Sequence, residues 1–274
     1  MIGQTEILNN VDYWIKTGTV PRFIIIGGAR GCGKTVLAKE ISRRMGAYLI
    51  ECGMSVDDVR DAVKNCYKCS APTVYLFNNA DKMSTSAKNA MLKITEEPPR
   101  QAHFIVNVQN FENMLETLRS RATNIQMAPY SEEELKEFYN TSVKKKVDLI
   151  LELSDTPGMM LELEAINIDE LISFCETVVD NIQVVTGVNA FKIGQRIKVK
   201  DGGEGWDADL FFHVLTRVLF KRAVQCAVDG DLPLCTKYAS MLELTCRYRR
   251  EFNLTGVKKD STLDMWILEM RECK

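Results

Sequence analysis

The chain has 274 residues, more than one ordinary domain needs, and this length predicts two or three compact units. Hydrophobic residues at 46% and charged residues at 26% are typical of a soluble globular protein with a substantial core. A formal net charge of −2 excludes a uniformly basic nucleic-acid binder, and no apolar run approaches the ~18 residues that span a bilayer.

The first half of the chain alternates between predicted strands and predicted helices. Short apolar runs rich in β-branched residues predict strands, and apolar residues at helical spacing predict the helices between them. This alternation is typical of a doubly wound α/β domain with a parallel sheet. The predicted strands are Arg22–Gly27, Ala47–Cys52, Thr73–Phe77, His103–Val108 and Asn124–Met127, and the predicted helices are Thr35–Met45, Val56–Lys68 and Ser84–Glu97.

The pattern changes at Ser131, where Ser131 and Glu134 form a capping box in front of an amphipathic helix. Strands are largely absent after this point, and a glycine-rich stretch at 200–205 predicts a loop. We predict three parts: an α/β domain at 1–130, a small helical unit at 131–182 and a helical C-terminal domain at 183–274. Apolar helical patterns at 207–228, 232–250 and 261–271 indicate the helices of the last part.

One motif carries specific chemistry: residues 28–35 match the phosphate-binding loop G-x-x-x-x-G-K-S/T in full. Its glycines let successive backbone N–H groups surround a polyphosphate, and the following helix N-terminus adds a positive dipole end. Lys34 would reach the β- and γ-phosphates, and Thr35 would offer its hydroxyl to Mg²⁺. The predicted nucleotide contacts in the loop are Gly28, Ala29, Arg30, Gly31, Cys32, Gly33, Lys34, Thr35 and Val36.

The end of the third predicted strand decides whether the nucleotide is cleaved. Hydrolysis usually needs an aspartate that helps to hold Mg²⁺ and a glutamate that orients water, but Asn78 and Asn79 stand in this place. An asparagine is neutral and cannot accept a proton as a carboxylate does, and loss of a general base costs ~10²–10⁴-fold in rate. Asp81 is a possible substitute three residues beyond Asn78. The sequence therefore predicts nucleotide binding and leaves the enzyme activity open.

Several segments together resemble the AAA+ clamp-loader ATPases. Asn78–Met83 followed by Lys88–Pro99 resembles the family signature DEADKM…NALLKTLEEPP, and Leu118–Arg121 resembles its Ser-Arg-Cys motif. The similarity covers roughly residues 1–165. Within the family, the chain resembles the delta-prime and gamma/tau subunits of DNA polymerase III, and a viral or mobile-element variant is also consistent with the resemblance. It implies an AAA+ module, a helical lid and a helical collar through which subunits form a ring.

The resemblance also implies roles for individual residues. Ile2 and Gly3 would line the adenine side, and Arg121 would act as an arginine finger on a neighbouring subunit's γ-phosphate; its alternative is an ordinary surface arginine. Departures from the family pattern are Asn78 and Asn79 at the acidic pair, Val108 at the sensor-1 threonine, Met159 at the sensor-2 arginine and Ala122 at the cysteine of Ser-Arg-Cys. Asn107 or Asn110 is a possible replacement for the sensor-1 threonine.

The resulting hypothesis is a clamp-loader subunit that binds ATP or ADP with Mg²⁺ and has weak or no intrinsic hydrolysis. Its expected partners are other loader subunits, the sliding clamp and primer-template DNA held by the assembled ring. Two alternatives remain open: an active ATPase motor subunit in which Asp81, Asn107 or Asn110 supplies the missing roles, and another AAA+ role such as helicase loading. A P-loop kinase is disfavoured because no site for an acceptor substrate is evident.

The N-terminal residues, the cysteines and the basic clusters indicate where the protein is located and which partners it contacts. Residues 1–10 lack the basic segment of a signal peptide, and the nine cysteines have no disulfide-like spacing, so we expect a cytoplasmic protein with reduced thiols. The C-x-x-C pair Cys66 and Cys69 has only Cys52 nearby in sequence and therefore indicates core residues rather than zinc ligands. Two interpretations of the basic clusters remain open: they are solvated helix faces, or they contact DNA phosphates. The clusters are 144–146, 247–250, and Lys192, Arg196, Lys198 and Lys200.

Overall fold

The computed structural model describes residues 2–97, 99–144, 148–184, 193–198, 205–252 and 257–273. The chain forms two compact units, Met1–Glu164 and Ala165–Lys274. Of the basic residues named above, Lys145, Lys146, Lys192 and Lys200 lie outside the described residues, as does most of the glycine-rich stretch at 200–205. The division into 1–130, 131–182 and 183–274 stays a prediction.

The first unit is built on a five-stranded sheet in which each described pairing is parallel. The strand order is β2-β3-β4-β1-β5, so β1 and β4 lie inside the sheet and β2 and β5 form its edges. The strands are β1 Phe23–Gly27, β2 Tyr48–Cys52, β3 Thr73–Phe77, β4 Ala102–Val108 and β5 Thr123–Gln126. The helices are α1 Thr5–Thr17, α2 Lys34–Arg44, α3 Val56–Cys66, α4 Thr85–Ala90, α5 Leu92–Glu96, α6 Glu116–Arg119, α7 Glu132–Ser142, α8 Asp148–Leu153 and α9 Pro157–Glu164.

The sheet is buried on both faces, as a parallel sheet requires. Alternate residues of β1 enter two separate hydrophobic clusters because successive side chains of a strand point to opposite faces. Ile25 packs with Phe77, Phe104 and residues of α3, whereas Ile24 and Ile26 pack with residues of α1 and α2. These two clusters fix the central strands, and with them the loop that follows β1.

Side-chain caps set the start of several helices. Ser55 forms a capping box with Asp58 at the start of α3, and Ser131 forms one with Glu134 at the start of α7. The single helix predicted over Ser84–Glu97 is instead divided into α4 and α5. The amides of Met91 and Ile94 donate to carbonyls three residues earlier, which tightens the chain at this division.

The second unit is mainly helical. An aromatic group holds it together: the Phe211 and Phe212 rings each meet the Trp266 ring edge-on at centroid distances of 5.8 and 5.3 Å. Its helices are α10 Ile168–Asn181, α11 Ala208–Asp229, α12 Leu232–Phe252 and α13 Lys259–Glu272, with a short parallel pair of strands, β6 Ile197–Lys198 and β7 Trp206–Asp207.

The expected fold class is confirmed: an α/β module with a parallel sheet precedes a helical C-terminal region. Cys66, the last residue of α3, is buried in the core, and the Cys69 sulfur lies 3.3 Å from the Tyr75 hydroxyl. Among the described residues, no group of three or more His, Cys, Asp or Glu side chains is arranged to hold a metal ion. Within the same residues, no helix has the length and apolarity needed to cross a membrane.

One buried histidine at the base of the sheet makes stability depend on pH. The His103 ring lies between Arg22, whose guanidinium donates to Nε2 at 2.8 Å, and the Pro21 carbonyl oxygen 2.9 Å from Nδ1. Burial lowers the pKa of His103, and the Arg22 charge lowers it further, against the hydrogen bond to Pro21. The unfolded chain therefore binds the extra proton more readily, so the free energy of unfolding should fall as the pH drops below about 6.5, the ordinary histidine pKa.

Urea unfolding at pH 7.5 and pH 5.5 measures this effect. A His103→Gln variant has no titrating ring at this position, so its stability should change less between the two pH values. The other histidine, His213, is present in both proteins and cancels in the comparison. An equal pH dependence of wild type and variant would contradict the prediction.

Candidate nucleotide-binding site

The loop at 28–35 leaves the carboxyl end of β1 and enters α2, the position that its sequence predicts. Gly31 and Gly33 have φ values of 77° and 96°, a region that favours glycine. The Lys34 ammonium donates to the carbonyl oxygens of Gly28 and Ala29, each at 2.7 Å. Burial lowers the pKa of Lys34, partly offset by Cys32 and the Asp81 charge. The backbone is thus curved as a phosphate cradle requires, with a cation held at its rim.

Three polar side chains meet directly behind the loop. The Thr35 hydroxyl donates to Asn78 Oδ1 at 2.8 Å, and Asn107 Nδ2 donates to the same oxygen at 2.8 Å. Asn107 Nδ2 also lies 3.3 Å from Thr35 Oγ1. Strand order explains the meeting, because β4 lies between β3, which ends before Asn78, and β1. The structure therefore brings Asn78 and Asn107 together with Thr35, through neutral groups only.

The other residues considered at this edge lie elsewhere. Asn110 caps a short helical turn, its Oδ1 accepting from the Glu112 amide at 2.9 Å. Val108 is buried in a hydrophobic cluster. Asn79 is exposed, with a φ of 54° that asparagine tolerates better than most residues. These three positions contribute no described contact to the Thr35–Asn78–Asn107 network.

Asp81 is the carboxylate that the sequence offers as a substitute for the missing acidic pair. It is 5% exposed, and its Oδ1 has no hydrogen-bond partner among the described residues. Lys88, also buried, donates to the carbonyl oxygens of Asp81 and Asn113 at 3.0 and 2.6 Å. Burial lowers the pKa of Lys88, and the Asp81 charge opposes that shift. This buried lysine joins the turn after β3 to the turn after β4.

A cavity of about 370 Å³ adjoins the loop, within the size range of ligand pockets. Ile2 and Val36 line it, and the assignment of Ile2 and Gly3 to the adenine side stays a prediction. A Cβ atom added at Gly3 would lie within 3.3 Å of Glu134 and Tyr130 side-chain atoms, so these side chains fill the space beside this glycine. The remaining lining residues are mostly apolar or small: Gly31, Gly33, Tyr130, Phe138, Ser142, Pro157, Gly158 and Leu161.

Two further contacts support this pocket and were not found from the sequence. The Gln4 amide exchanges two hydrogen bonds with the Ala128 backbone, at 2.8 and 2.9 Å, and so fixes the chain after Ile2. The Tyr130 hydroxyl donates to the Cys32 carbonyl oxygen at 2.8 Å. Cys32 itself is buried, and burial raises the pKa of its thiol. Both contacts join residues about a hundred positions apart, which no local pattern indicates.

Arg121 lies away from the loop. It precedes β5, whose residue Thr123 pairs with Ile24 at the start of β1, whereas the loop follows the end of β1. The Arg121 side chain is exposed, donates to the Thr117 carbonyl oxygen at 2.9 Å and lies 3.6 Å from the Glu96 carboxylate. In a parallel sheet the starts of the strands lie at one end and their carboxyl termini at the other, so Arg121 is remote from the loop of its own chain.

The residues present fit a polyphosphate better than a strongly held metal. The glycine curvature, Lys34 and the adjoining cavity match a nucleotide, whereas the described surroundings of Thr35 supply neutral amides rather than carboxylates. Mg²⁺ prefers oxygen ligands that usually include one or two carboxylates together with substrate phosphates. Thr35 can therefore contribute one hydroxyl ligand to a metal that arrives with the nucleotide.

Comparisons with known proteins agree with this geometry. The family model for "DNA polymerase III, delta subunit" matches residues 51–131. DNA polymerase III subunit gamma of Buchnera aphidicola from Schizaphis graminum is 26% identical over 176 residues, covering 53% of this chain and 48% of that protein. Replication factor C subunit 3 of Saccharomyces cerevisiae is 27% identical over 162 residues, covering 54% and 47%. The chain thus spans about half the length of these curated relatives.

Solved structures show the same fold. A DNA polymerase III gamma subunit-related protein of Thermotoga maritima superposes with a TM-score of 0.55 at 16% identity, covering 96% of this chain and 99% of that one. A RuvB variant of Thermotoga maritima gives 0.55 at 16% identity, covering 80% and 88%. The family model and the curated relatives support the resemblance of this chain to the AAA+ clamp-loader family, and the solved structures show that it has the same fold.

Proposed function

We propose that this chain is a clamp-loader subunit that binds ATP or ADP at residues 28–35 and has weak or no intrinsic hydrolysis. It would work with other loader subunits to place a sliding clamp on primer-template DNA. The observation that carries the proposal is the contrast within one site: a complete phosphate loop with Lys34 stands beside the neutral Thr35–Asn78–Asn107 network.

Nucleotide binding follows from the loop and its cavity. Backbone N–H groups, the start of α2 and the Lys34 ammonium all favour anionic phosphates. Ile2 and Val36 offer apolar surface for a base beside them. The curated relatives are named subunits of DNA polymerase III and replication factor C, which supports the same ligand class and an assembly with partner subunits.

Weak hydrolysis follows from the network. Asn78 Oδ1 already accepts hydrogen bonds from Thr35 and Asn107, and an amide cannot remove a proton from water at neutral pH. Nor does an amide carry the charge that strengthens Mg²⁺ binding. The side chains of this network therefore hold the loop in place without supplying a base.

The active-motor alternative has one observation in its favour. Asp81 has a buried carboxylate oxygen without a described hydrogen-bond partner, and its negative charge raises the pKa of Lys34. In that case Asp81 would act as the base and turnover would depend on it. To AAA+ proteins with other roles, such as helicase loading, this chain is similar only in fold. Copurification with a sliding clamp would distinguish clamp loading from those roles.

DNA contact by this chain is proposed only through an assembled ring. Two arginines of the 247–250 cluster are engaged within the second unit: Arg247 with Glu269, and Arg249 with Asp209 at 3.0 Å. Such pairing reduces the charge available to phosphates.

The exposed apolar stripe Phe220, Val224 and Val228, spaced four residues apart on α11, supports helix packing against another loader subunit.

Binding of ADP and ATP to the isolated chain, measured by calorimetry with and without Mg²⁺, tests the proposal. Lys34→Ala should weaken binding on the order of 10²-fold, because charged hydrogen bonds to phosphate are lost. Lys39→Ala is the matched control: Lys39 is on the same helix but pairs with Glu51 at 2.8 Å. No nucleotide binding by the wild-type chain, or equal losses in both variants, would overturn the proposal.

A further inference from the structure

The outer side of the phosphate loop is held by a second segment of the first unit, Thr156–Glu162, which we call the loop-facing segment. The Thr156 hydroxyl donates to the Arg30 carbonyl oxygen at 2.9 Å, and the Gly158 amide donates to the Gly31 carbonyl oxygen at 2.9 Å. Two successive carbonyl groups of the loop are therefore fixed by one short stretch of chain.

The two backbones touch at a pair of glycines. A Cβ atom on Gly158 would lie 2.4 Å from the Gly31 Cα, and a Cβ atom on Gly31 would lie 2.6 Å from Thr156 Oγ1. Real Cβ atoms do not approach other heavy atoms so closely, so only glycine permits this contact. The segment is thus seated on the loop with no space between them.

An ion pair closes the far end of the same contact. Arg30 Nε lies 3.1 Å from Glu162 Oε1, and Arg30 Nη2 lies 3.1 Å from Glu162 Oε2. The Nε–H group donates a hydrogen bond to Oε1, and the opposite charges hold the guanidinium beside the carboxylate. Arg30, although it stands within the loop motif, is directed to the loop-facing segment.

Peptide geometry links these contacts to ligand binding. The peptide bond between Arg30 and Gly31 is trans, so the C=O of Arg30 and the N–H of Gly31 point in opposite directions across one planar unit. Holding the carbonyl oxygen toward Thr156 keeps that N–H on the other side of the loop. A phosphate loop binds its ligand through such N–H groups.

We propose that Thr156 and Glu162 are positioning residues that hold the loop in its phosphate-binding conformation. Neither residue lines the cavity beside the loop, so both act through Arg30 and Gly31 rather than on the ligand. The proposal rests on the proposed function, since it assigns a role in nucleotide binding at the same site.

The test measures ADP binding by the whole chain in single and paired variants. Glu162→Gln should weaken binding about two- to fivefold, as expected for a half-exposed ion pair. Thr156→Val, which keeps the shape and removes the hydroxyl donor, should weaken binding about five- to tenfold. The exchange Arg30→Glu with Glu162→Arg should restore most of the loss. Glu137→Gln, an exposed glutamate of α7 in the same unit, is the matched control.

Hydrogen exchange of the loop amides, measured without nucleotide, provides a readout independent of binding. Exchange at residues 30–33 should be faster in Glu162→Gln and Thr156→Val than in wild type and should slow again in the exchanged pair. If wild type binds ADP but the variants bind equally well, or bind weakly with unchanged loop exchange, the positioning role is wrong. If wild type binds no ADP, the proposed function itself fails.

Discussion

Replacing Arg121 by alanine should leave nucleotide binding by this chain unchanged and slow hydrolysis by a neighbouring loader subunit on the order of 10³-fold. An arginine supplied by one subunit to another's γ-phosphate neutralises charge that develops in the transition state. The measurement is steady-state ATP turnover by a loader reconstituted with the wild-type or the variant chain.

Its place in the fold supports this expectation. Arg121 lies at the end of the sheet where the strands begin, whereas its own loop lies at the end where they finish. Its side chain is exposed, so a second molecule can approach it. Its contacts, one backbone carbonyl oxygen and a 3.6 Å approach to Glu96, are weak enough to exchange for a phosphate. Arg100→Ala provides a control at another exposed arginine of the same unit. Equal turnover in all three reconstituted loaders would show that Arg121 is an ordinary surface arginine.

The sheet was predictable because its strands are short apolar runs with clear ends. Thr73–Phe77 has the same bounds in sequence and structure, three other strands differ by one residue at one end, and β5 is shifted by one residue at both ends. Burial on both faces forces such continuous apolar composition, so the pattern itself identifies the strand. The phosphate loop was predictable for a related reason: its function needs glycine, lysine and threonine at fixed spacing.

Contacts between distant segments were not predictable in the same way. Asn107 and Asn110 were equal candidates in the sequence, and only the placement of β4 beside β1 and β3 brings Asn107 to Thr35. The same holds for Gln4 with Ala128 and for Thr156 with Arg30. Each depends on strand order and on the path of the chain after the sheet, which no local spacing encodes.

The second large effect concerns hydrolysis. Asn78→Asp combined with Asn79→Glu should raise single-turnover ATP hydrolysis by the isolated chain at least about 10²-fold, because a carboxylate pair can strengthen metal binding and orient water. An aspartate introduced at position 78 would keep the acceptor position now used by Thr35 and Asn107. A glutamate at position 79 must adopt a φ near 54°, so a stability loss of about 1 kcal/mol should accompany the gain.

Two comparisons decide what the result means. Asn110→Asp adds a carboxylate at a capping position outside the Thr35 network and should leave turnover unchanged. Asp81→Asn in the wild-type background tests the active-motor alternative, in which Asp81 already supplies the base. A wild-type chain with substantial turnover that Asp81→Asn abolishes would contradict the weak-hydrolysis proposal. A rise in turnover confined to the Asn78 and Asn79 variant would instead locate the missing chemistry at these two amides, since the loop, Lys34 and Thr35 are the same in every protein compared.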